Sequence, residues 1–295
     1  AACAGALLLL LPRGSQARWS GLLLLAPLFL PRTPPLVEGG LRLQMLDVGQ
    51  GLAVLVETRR HLLLYDTGPG LPGEWDLVSS VIEPALRRAG RHPDRVIVSH
   101  GDLDHAGGSE RLRSLFPEAL FLGNVPPGRP MLTRCDDRRY WRWDGVRFDV
   151  LHPSPWLPYL GNDSSCVVTV TAAGGSVLLP GDVSERVERR LATGPRSAYA
   201  AVVSPHHGSR TSTGAAFLSW ARPAQVLVPA GVDNRFGFPH ADVLERLNAL
   251  QVPARSTADC GALTLDLAPD GKTTTRSARR QRPGWWRWPA GTECP

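Results

Sequence analysis

Four side chains that can bind a metal ion fall within six residues, directly after an apolar run. The run Val96-Ile97-Val98 predicts a buried strand, and the chain then reads Ser99-His100-Gly101-Asp102-Leu103-Asp104-His105. Imidazole and carboxylate groups are common ligands of Zn²⁺ and Mn²⁺. An ordinary polar turn is the alternative, but four such groups at this spacing favour a metal site. We therefore predict four metal ligands here, namely His100, Asp102, Asp104 and His105.

Three more groups of the same chemistry follow predicted strands in the second half of the chain. Asp182 comes after the strand Val177–Leu179, and His206 and His207 come after the strand Ala201–Val203. Loops that follow neighbouring strands of an α/β sheet collect at one rim, so we expect these groups to meet the first cluster. One ion needs only three or four protein ligands, and the larger set therefore predicts two ions. Asp182 is the predicted bridge between them.

Two such ions activate water and stabilise both oxygens of a phosphodiester displacement. We predict that His206 completes the ligand set and that Asp104 and His207 act in catalysis. In this assignment His207 protonates the leaving oxygen or orients the phosphate. Because the set mixes imidazole with carboxylate and has no thiolate, two divalent ions, Mn²⁺ or Zn²⁺, are the expected cofactors.

Other residues are placed to support this site. Asp66 ends the predicted strand Leu62–Tyr65 and is positioned to hydrogen-bond a ligating imidazole. His240 starts a predicted helix, and its roles as a substrate contact and as a helix cap stay equally open. The chain has neither a Gly-x-Ser-x-Gly elbow nor a glycine-rich phosphate loop ending in Lys-Ser/Thr. A serine hydrolase and a nucleotide cofactor are therefore not expected.

Predicted strands and helices alternate along the chain, a pattern typical of sheets covered by helices. The apolar spacing in Asp76–Ala89 predicts a helix that Pro84 kinks or restarts. The segment Trp141–Val150 resembles a hairpin that turns at Asp144-Gly145. The predicted fold class is therefore mixed α/β. Further helices are predicted over Ser184–Leu191, Thr213–Trp220 and Asp242–Leu250.

The composition is that of a globular protein with ample material for a core, at 295 residues and 43% hydrophobic side chains. The net charge is +6, and every basic residue except Lys272 is arginine, which gives mild support for an anionic partner. Five cysteines are scattered without a C-x-x-C pair, which argues against a zinc ribbon and a disulfide framework. No cysteine pairing is predicted, although a single bridge such as Cys135–Cys260 stays open.

The first 35 residues differ from the rest of the chain. The Leu-rich stretches Ala1–Pro12 and Trp19–Pro31 are each shorter than the roughly 20 residues of a spanning helix. We interpret residues 1–35 as the remnant of a membrane-spanning region with a proline-rich linker; an ordinary buried hydrophobic arm is the alternative. Arg13 and Arg18 between the stretches favour a cytoplasmic loop there, with the following domain outside.

The last 25 residues, 271–295, form a basic, Trp-rich tail. Arginine and tryptophan together can hold phosphates and stack bases. The interpretation that we favour is a final strand whose tryptophans pack on the edge of the domain.

Six motifs carry a family resemblance. They are Leu46–Gly51, Asp66–Gly68, His100–His105, Asn162–Ser165, Pro180–Asp182 and Pro205–Ser209. With them, the chain resembles the metallo-β-lactamase-like domain of the ComEC family of DNA-uptake proteins, from about Leu41 to Leu267. The resemblance implies an αββα four-layer sandwich with a dinuclear site at one rim, preceded by a fragment of transmembrane helix. The implied domains are residues 1–35, 36–270 and 271–295.

The chain departs from the wider superfamily at a few positions. Asp102 stands where the superfamily has its second histidine, as is usual for ComEC-like domains, and Asn162-Asp163 stands where a third-motif histidine is expected. Leu52 and Phe238 replace residues that are common in relatives and bear on substrate contacts. We expect five residues to orient ligands or contact substrate, namely Asp66, Asn162, Asp163, Ser209 and His240.

The resemblance implies an inner-membrane protein that passes one DNA strand inward and degrades the other strand outside. Its implied partners are single-stranded DNA, the membrane channel portion of the same polypeptide, and the DNA-uptake machinery. We therefore predict a metal-dependent nuclease on the extracytoplasmic face. Two alternatives stay open, because one fold serves many chemistries. They are a hydrolase of a phosphorylcholine-type phosphodiester, lactone or thioester, and a non-catalytic domain that binds DNA or gates the channel.

Overall fold

The chain divides into two compact units, Ala1–Pro35 and Leu36–Pro295, in this computed structural model. The structure describes residues 2–12, 14–26, 35–71, 73–126, 132–136, 138–281 and 294. The first unit pairs α1 (Ala2–Leu9) with α2 (Ser20–Leu25), with a 3-10 turn at Gln16–Trp19. Among the described residues, no helix is both long and apolar enough to cross a bilayer.

The second unit contains two large sheets. In the part of the chain that the structure describes, the spatial order of the first sheet is β17 (Thr273–Ser277), β16 (Leu263–Leu267), β1 (Leu41–Met45), β2 (Val54–Glu57), β3 (Leu62–Tyr65), β6 (Arg95–Val98), β7 (Leu120–Gly123) and β8 (Thr133–Arg134). Strands β3, β6, β7 and β8 are parallel, and the remaining neighbours are antiparallel.

The second sheet mixes a parallel half with an antiparallel half. Over the described residues its order is β15 (Ala254–Ser256), β14 (Val226–Val228), β13 (Tyr199–Val203), β12 (Gly175–Leu179), β11 (Val167–Ala172), β10 (Val146–His152) and β9 (Tyr140–Trp143). Strands β12 to β15 run parallel, and β9 to β12 run antiparallel. A separate small hairpin joins β4 (Gly70–Leu71) to β5 (Trp75–Asp76).

Helices cover the outer face of each sheet. A π-helical turn at Val78–Ile82 and the helices α3 (Glu83–Ala89) and α5 (Ser109–Leu115) contribute apolar residues to a core with the first sheet. The second sheet shares a core with α6 (Glu185–Leu191), α7 (Ala215–Ala221) and α8 (Ala241–Ala249). Three short helices complete the described residues, namely α4 (Leu103–Ala106), α9 (Thr257–Cys260) and α10 (Ala278–Gln281).

The largest core lies between the two sheets. Leu43 of β1, Val56 of β2 and Phe148 of β10 are fully buried in it. Strands β2 and β3 are buried at every residue, since helices cover the face that does not meet the other sheet. The layers are therefore helix, sheet, sheet and helix, and the predicted mixed α/β fold is confirmed.

Several predicted elements are confirmed with small shifts at their ends. Strand β3 has the predicted bounds, and the hairpin of β9 and β10 turns at Asp144-Gly145. The predicted helix over Asp76–Ala89 is divided, with α3 starting at Glu83 and Pro84 in its first turn. Proline is tolerated there because the first amide groups of a helix have no intrahelical partner.

The cysteine prediction is wrong. Cys135 pairs with Cys166, and Cys260 pairs with Cys294, while Cys3 is free and exposed. The paired Cα atoms lie 6.0 and 5.1 Å apart. Both bridges join residues more than 30 positions apart, so the sequence spacing carried no signal for them.

The end of the chain continues the fold beyond residue 270, where we predicted the domain to stop. Strand β17 pairs with β16 from Thr273↔Leu267 to Ser277↔Leu263. Arg276 forms an ion pair with Asp266 on that neighbouring strand. The tryptophans of the tail lie outside the described residues, and both predictions for them stay predictions.

Candidate metal centre

The first predicted ligand loop leaves the end of β6 and enters α4. Ser99 follows the strand directly, and His105 lies inside the short helix with its side chain fully buried. Gly107 lets this loop lie against the β4 hairpin, because a Cβ there would lie 2.1 Å from the amide nitrogen of Gly70. A larger residue at this position would push the ligand loop away from the sheet.

Asp182 reaches the same place from the end of β12. The preceding Gly181 has φ +61°, and a Cβ there would lie 2.7 Å from the Cβ of Ser165. Glycine is therefore required both by the left-handed backbone and by the close approach. The Asp182 amide donates to Ser165 Oγ at 3.1 Å, which holds the carboxylate at the rim of the sheets.

Five of the predicted groups converge in one buried cluster. His105 Nε2 lies 3.2 Å from Asp182 Oδ1 and 3.1 Å from His207 Nε2. His207 Nε2 lies 3.4 Å from both Asp104 Oδ2 and Asp182 Oδ2. Within the described residues, two sets of three ligand atoms lie inside 4.8 Å, namely His100, His105 and Asp182, and Asp104, His105 and His207.

Hydrogen bonds at Nδ1 orient the three histidines of the cluster so that the other ring nitrogen, Nε2, faces the cluster. His105 Nδ1 donates to Asp66 Oδ2 at 2.8 Å, and His207 Nδ1 donates to the Pro229 carbonyl at 2.9 Å. His100 Nδ1 lies 3.0 Å from Ser99 Oγ. Ser99 Oγ already donates its proton to Asp66 at 2.8 Å, so it accepts from His100. All three Nε2 atoms therefore face the cluster.

The Nε2 atom of His100 supports a cation site most directly. It is buried and has no hydrogen-bond partner, and the Asp102 carboxylate lies 3.6 Å away. A buried polar atom without a partner costs free energy that a ligand or an ion removes. Imidazole nitrogens beside carboxylate oxygens also suit Mn²⁺ and Zn²⁺. The residues present therefore fit the divalent ions that we predicted.

The electrostatics of the cluster keep carboxylates ionised next to protonated imidazoles. Burial raises the pKa of Asp182, but His105 and His207 outweigh burial and hold it well below its usual range. Burial also raises the pKa of Asp104, yet the hydrogen bond from His207 and the charge of His105 bring it to about 2. Burial lowers the pKa of His207, and Asp182 and Asp104 raise it to about 9. Divalent cations compete with protons for such ligands.

Asp66 has the position that we expected for it. It is fully buried, and its Oδ1 accepts the Ser99 amide at 2.6 Å while its Oδ2 accepts from His105. The carboxylate therefore orients His105 and, through Ser99, also His100. Its backbone has φ +59°, which non-glycine residues adopt mainly when the surroundings hold them there.

The structure places His207, rather than His206, inside the cluster. His207 is buried inside the cluster, whereas the His206 side chain is 30% exposed and its Nε2 lies 4.0 Å from Asp182. Both residues have positive φ, at 49° and 56°, in a turn after β13. This turn sends the two rings in different directions, which the sequence His206-His207 did not indicate.

The segment Asn162-Asp163, which stands where a third-motif histidine is expected, makes hydrogen bonds around the cluster and adds no side chain to it. The Asp163 carboxylate accepts from the Ser184 amide at 3.0 Å and from Arg186 at 2.8 Å, so it is committed away from the cluster. Its backbone carbonyl accepts from His152. The Asn162 carbonyl accepts from Ser165 Oγ at 2.7 Å, and Ser165 Oγ lies 3.4 Å from His100 Nδ1.

The two remaining predicted residues make local contacts. His240 Nδ1 accepts from the Asp242 amide at 3.3 Å, which is the helix-cap role of the two that we left open. Ser209 Oγ lies 3.0 Å from Thr211 Oγ1. Sequence reasoning missed Ser99, Ser165 and the Pro229 carbonyl, and a serine directly next to a ligand or motif residue was the signal for the first two.

Comparison with known families agrees with this geometry. The family described as the metallo-beta-lactamase superfamily matches residues 46–232, more than half of the chain. The chain belongs to the metallo-beta-lactamase superfamily. The matched segment contains every predicted ligand from His100 to His207.

Curated relatives of this superfamily member include competence proteins. "Competence protein ComA" of Neisseria gonorrhoeae is 34% identical over 278 residues, which cover 94% of this chain and 39% of that protein. "Recombination protein 2" of Haemophilus influenzae is 34% identical, with coverage of 82% and 30%. "ComE operon protein 3" of Bacillus subtilis is 27% identical, with coverage of 84% and 36%. The resemblance to the ComEC family is confirmed, and the chain spans between 30% and 39% of these relatives' lengths.

Solved structures of the same fold are more distant. The metallo-beta-lactamase fold protein YhfI from Bacillus subtilis is 11% identical with a TM-score of 0.48, covering 76% of this chain and 99% of that one. Igni18, a metallo hydrolase from Ignicoccus hospitalis, is 15% identical with a TM-score of 0.44, covering 79% and 98%. Likenesses at these scores add nothing to the family match.

Proposed function

We propose that this chain is a metal-dependent phosphodiesterase that cleaves single-stranded DNA during natural transformation. The observation that carries the proposal is a set of three buried histidines whose Nε2 atoms face Asp104 and Asp182. The Nε2 atom of His100 has no hydrogen-bond partner. The residues of this set would suit two divalent ions. Mn²⁺ and Zn²⁺ are the proposed ions, since the ligands are imidazoles and carboxylates.

The protein side of the mechanism follows from the positions of the ligands. Bound divalent ions supply Lewis acidity that activates water and stabilises the charge that develops on phosphate oxygens. His100, Asp182 and Asp102 would hold one ion, and Asp104, His105, His207 and Asp182 the other. Asp66 and the Pro229 carbonyl hold the rings of His105 and His207 in the tautomer that binds a cation.

His206 is the proposed proton donor to the leaving oxygen. Its ring lies at the mouth of the cluster, half-buried, with Nε2 4.0 Å from Asp182 Oδ2. Burial lowers the pKa of His206, and the Asp182 carboxylate opposes that shift. A ring at this position can contact a substrate oxygen without being committed to the ions.

The names of the relatives support DNA as the substrate and the uptake machinery as the setting. One is named a competence protein and another a recombination protein. The Cys260–Cys294 disulfide supports an extracytoplasmic face, because such bridges persist in oxidising compartments. We therefore propose that the domain works outside the inner membrane, next to a channel portion of a longer polypeptide.

The test compares the purified 295-residue chain and its variants on a labelled single-stranded oligonucleotide and on bis(p-nitrophenyl) phosphate, each with Mn²⁺ or Zn²⁺. We expect Asp104→Ala and His207→Ala to lose bound metal and nearly all cleavage. His206→Ala should keep its metal and lose about 100-fold or more in kcat, as expected for a general acid. The matched control is His61→Ala, which replaces a partly exposed histidine outside the cluster.

Three results would decide between the hypotheses. Absence of oligonucleotide cleavage by the metal-loaded protein, with binding intact, favours a non-catalytic DNA-binding domain. Cleavage of the small diester without cleavage of DNA favours a hydrolase of another substrate. Equal metal loss in the His206 and His207 variants contradicts the roles proposed for these two residues.

A further inference from the structure

Three stacked rings and a guanidinium lead from the metal centre to solvent. The His207 and Phe238 rings lie 6.3 Å apart with 14° between their planes. The Phe238 and Phe236 rings lie 5.5 Å apart with 15° between their planes. The guanidinium of Arg235 continues the stack, 4.9 Å from the centre of the Phe236 ring.

The loop that carries this stack is held in shape by one side chain. Asn234 Nδ2 donates to the carbonyls of Gly231 and Phe238, at 3.0 and 2.7 Å. Its Oδ1 accepts the Phe238 amide at 2.9 Å. The two aromatic residues are therefore held in place before a ligand arrives, which reduces the entropy lost on binding.

The outer end of the stack is free to meet a ligand. Phe236 is 49% exposed, although burial of a phenyl ring is favourable. Arg235 is also exposed, and no carboxylate among the described residues forms an ion pair with it within 4.0 Å. A flat ring beside an uncompensated guanidinium matches a ligand that has both a planar base and a phosphate.

We propose that Phe236 and Arg235 form a base-stacking subsite for single-stranded nucleic acid beside the metal centre. The inference rests on the proposed function, which places the scissile phosphate at the metal ligands. The base of a neighbouring nucleotide then stacks on Phe236, and Arg235 contacts its backbone or stacks on the base. Asn234 already occupies the Phe238 amide and carbonyl, so the subsite offers a face rather than hydrogen bonds and accepts all bases.

The test measures binding and diester hydrolysis separately. Fluorescence anisotropy with a labelled single-stranded DNA hexamer, in Ca²⁺ to prevent turnover, gives the dissociation constant of the full chain. We expect Phe236→Ala to weaken binding about five- to a hundredfold, the range for the loss of one base–aromatic stack. Phe236→Tyr should restore it. At saturating substrate, the kcat for bis(p-nitrophenyl) phosphate should stay unchanged in both variants, because the groups of the metal centre are unaltered.

A matched control exists on another part of the surface. Tyr140 is 67% exposed and has the Arg147 guanidinium 5.2 Å from its ring centre. It lies on β9, three strands and about 14 Å along the sheet from β12. Tyr140→Ala should leave hexamer binding unchanged. A hexamer with one abasic site at the stacked position should bind the wild type as weakly as the intact hexamer binds Phe236→Ala.

The possible failures are distinguishable. If the wild type cleaves no diester, the proposed function fails, and the binding measurement still decides the subsite. Equal hexamer affinity of wild type and Phe236→Ala overturns the subsite and leaves the exposed ring for a protein partner. An equal loss of diester hydrolysis and binding also overturns it, because the stack then only supports His207. An RNA hexamer that behaves like the DNA hexamer supports recognition through the base.

Discussion

At the scale of single residues, Asp66 organises more of the metal centre than any predicted ligand does. It accepts from His105 directly and reaches His100 through Ser99. Both of its oxygen atoms are used, and the side chain is fully buried. A shift of the Asp66 side chain would move both His105 and His100. Its loss should therefore lower the affinity for metal.

Asp66→Asn is expected to lower the affinity for Mn²⁺ or Zn²⁺ by about 10- to 100-fold. The asparagine side chain has no negative charge. It has only one oxygen atom to accept hydrogen bonds, whereas the carboxylate uses one oxygen for the Ser99 amide and the other for His105. Competition with a fluorescent chelator measures the change.

Asp94→Asn serves as the control for this prediction. Asp94 also contacts a histidine, since its Oδ1 lies 3.1 Å from His61 Nδ1, but that pair is partly exposed. Its replacement should leave metal affinity unchanged. Equal effects of the two substitutions would show that Asp66 acts only on the stability of the fold.

At the scale of elements, one buried carboxylate connects the two sheets. Asp144 lies in the turn between β9 and β10, and it accepts from Thr58 Oγ1 and the Arg60 amide, both at 2.7 Å. Those residues follow β2, so the contact joins a hairpin of the second sheet to a hairpin of the first. Burial raises the pKa of Asp144, but the hydrogen bonds from Thr58 and Arg60 bring it to about 2.

Asp144→Ala is expected to reduce the free energy of unfolding by about 2 kcal/mol near neutral pH. The folded pKa lies below the unfolded value of 3.8, so this contribution is present above about pH 4 and is lost as the pH falls towards 2. The two proteins should therefore approach equal stability in acid, as measured by urea denaturation.

Asp270→Ala is the control, because Asp270 also precedes a glycine in a hairpin turn. In contrast to Asp144 it is exposed, and among the described residues it accepts a hydrogen bond only from the Lys272 amide. Its replacement should cost much less. A loss that stays the same from neutral pH to pH 3 would contradict the assigned role of Asp144.

At the scale of the whole molecule, the helical layer of the second sheet contains a buried acid that opposes folding at neutral pH. Glu188 of α6 is fully buried and accepts the amides of Thr213 and Gly214, at 2.5 and 2.8 Å. Burial raises its pKa from 4.5 to about 7, with the two amides opposing the shift. The charge of Arg246 also opposes it, and that of Glu185 adds to it.

Glu188 should make stability fall as the pH rises. The folded protein holds the proton more tightly than the unfolded chain, so its contribution changes between pH 4.5 and about 7. The loss across this window is up to about 3 kcal/mol. Glu188→Gln should flatten that part of the profile, measured by urea denaturation at pH 5, 6 and 7.

Glu185→Gln is the control for the pH profile. Glu185 lies on the same helix but is about half exposed and pairs with Arg189 at 2.9 Å. Its replacement should leave the slope almost unchanged. If the stability of Glu188→Gln falls with rising pH as steeply as that of the wild type, other titrating groups cause the fall.

Much of the fold was predictable from local patterns. Strands β1, β3 and β14 follow from alternating or continuous apolar residues, and the turn at Asp144-Gly145 follows from its sequence. The helix ends shifted by one or two residues, since capping depends on neighbours. The disulfides were not predictable, because their partners meet only when separate strands and the end of the chain come together.

Sequence alone determined the ligand types. His100, Asp104 and His105 are in one loop, and Asp182 and the His206-His207 pair follow later strands. Chemistry and spacing were enough to predict a metal centre, because few other sites need so many imidazoles and carboxylates at strand ends.

Only the tertiary structure decided which atoms face the centre. It brought the ring of His207 rather than that of His206 into the buried cluster, committed Asp163 to Ser184 and Arg186, and stacked Phe236 outward from His207 through Phe238. The reason is that the direction of a side chain depends on the dihedral angles of its turn and on the groups that hydrogen-bond it. His206 and His207 have positive φ values in their turn, and the partners of Asp66 lie more than 30 residues away in the chain.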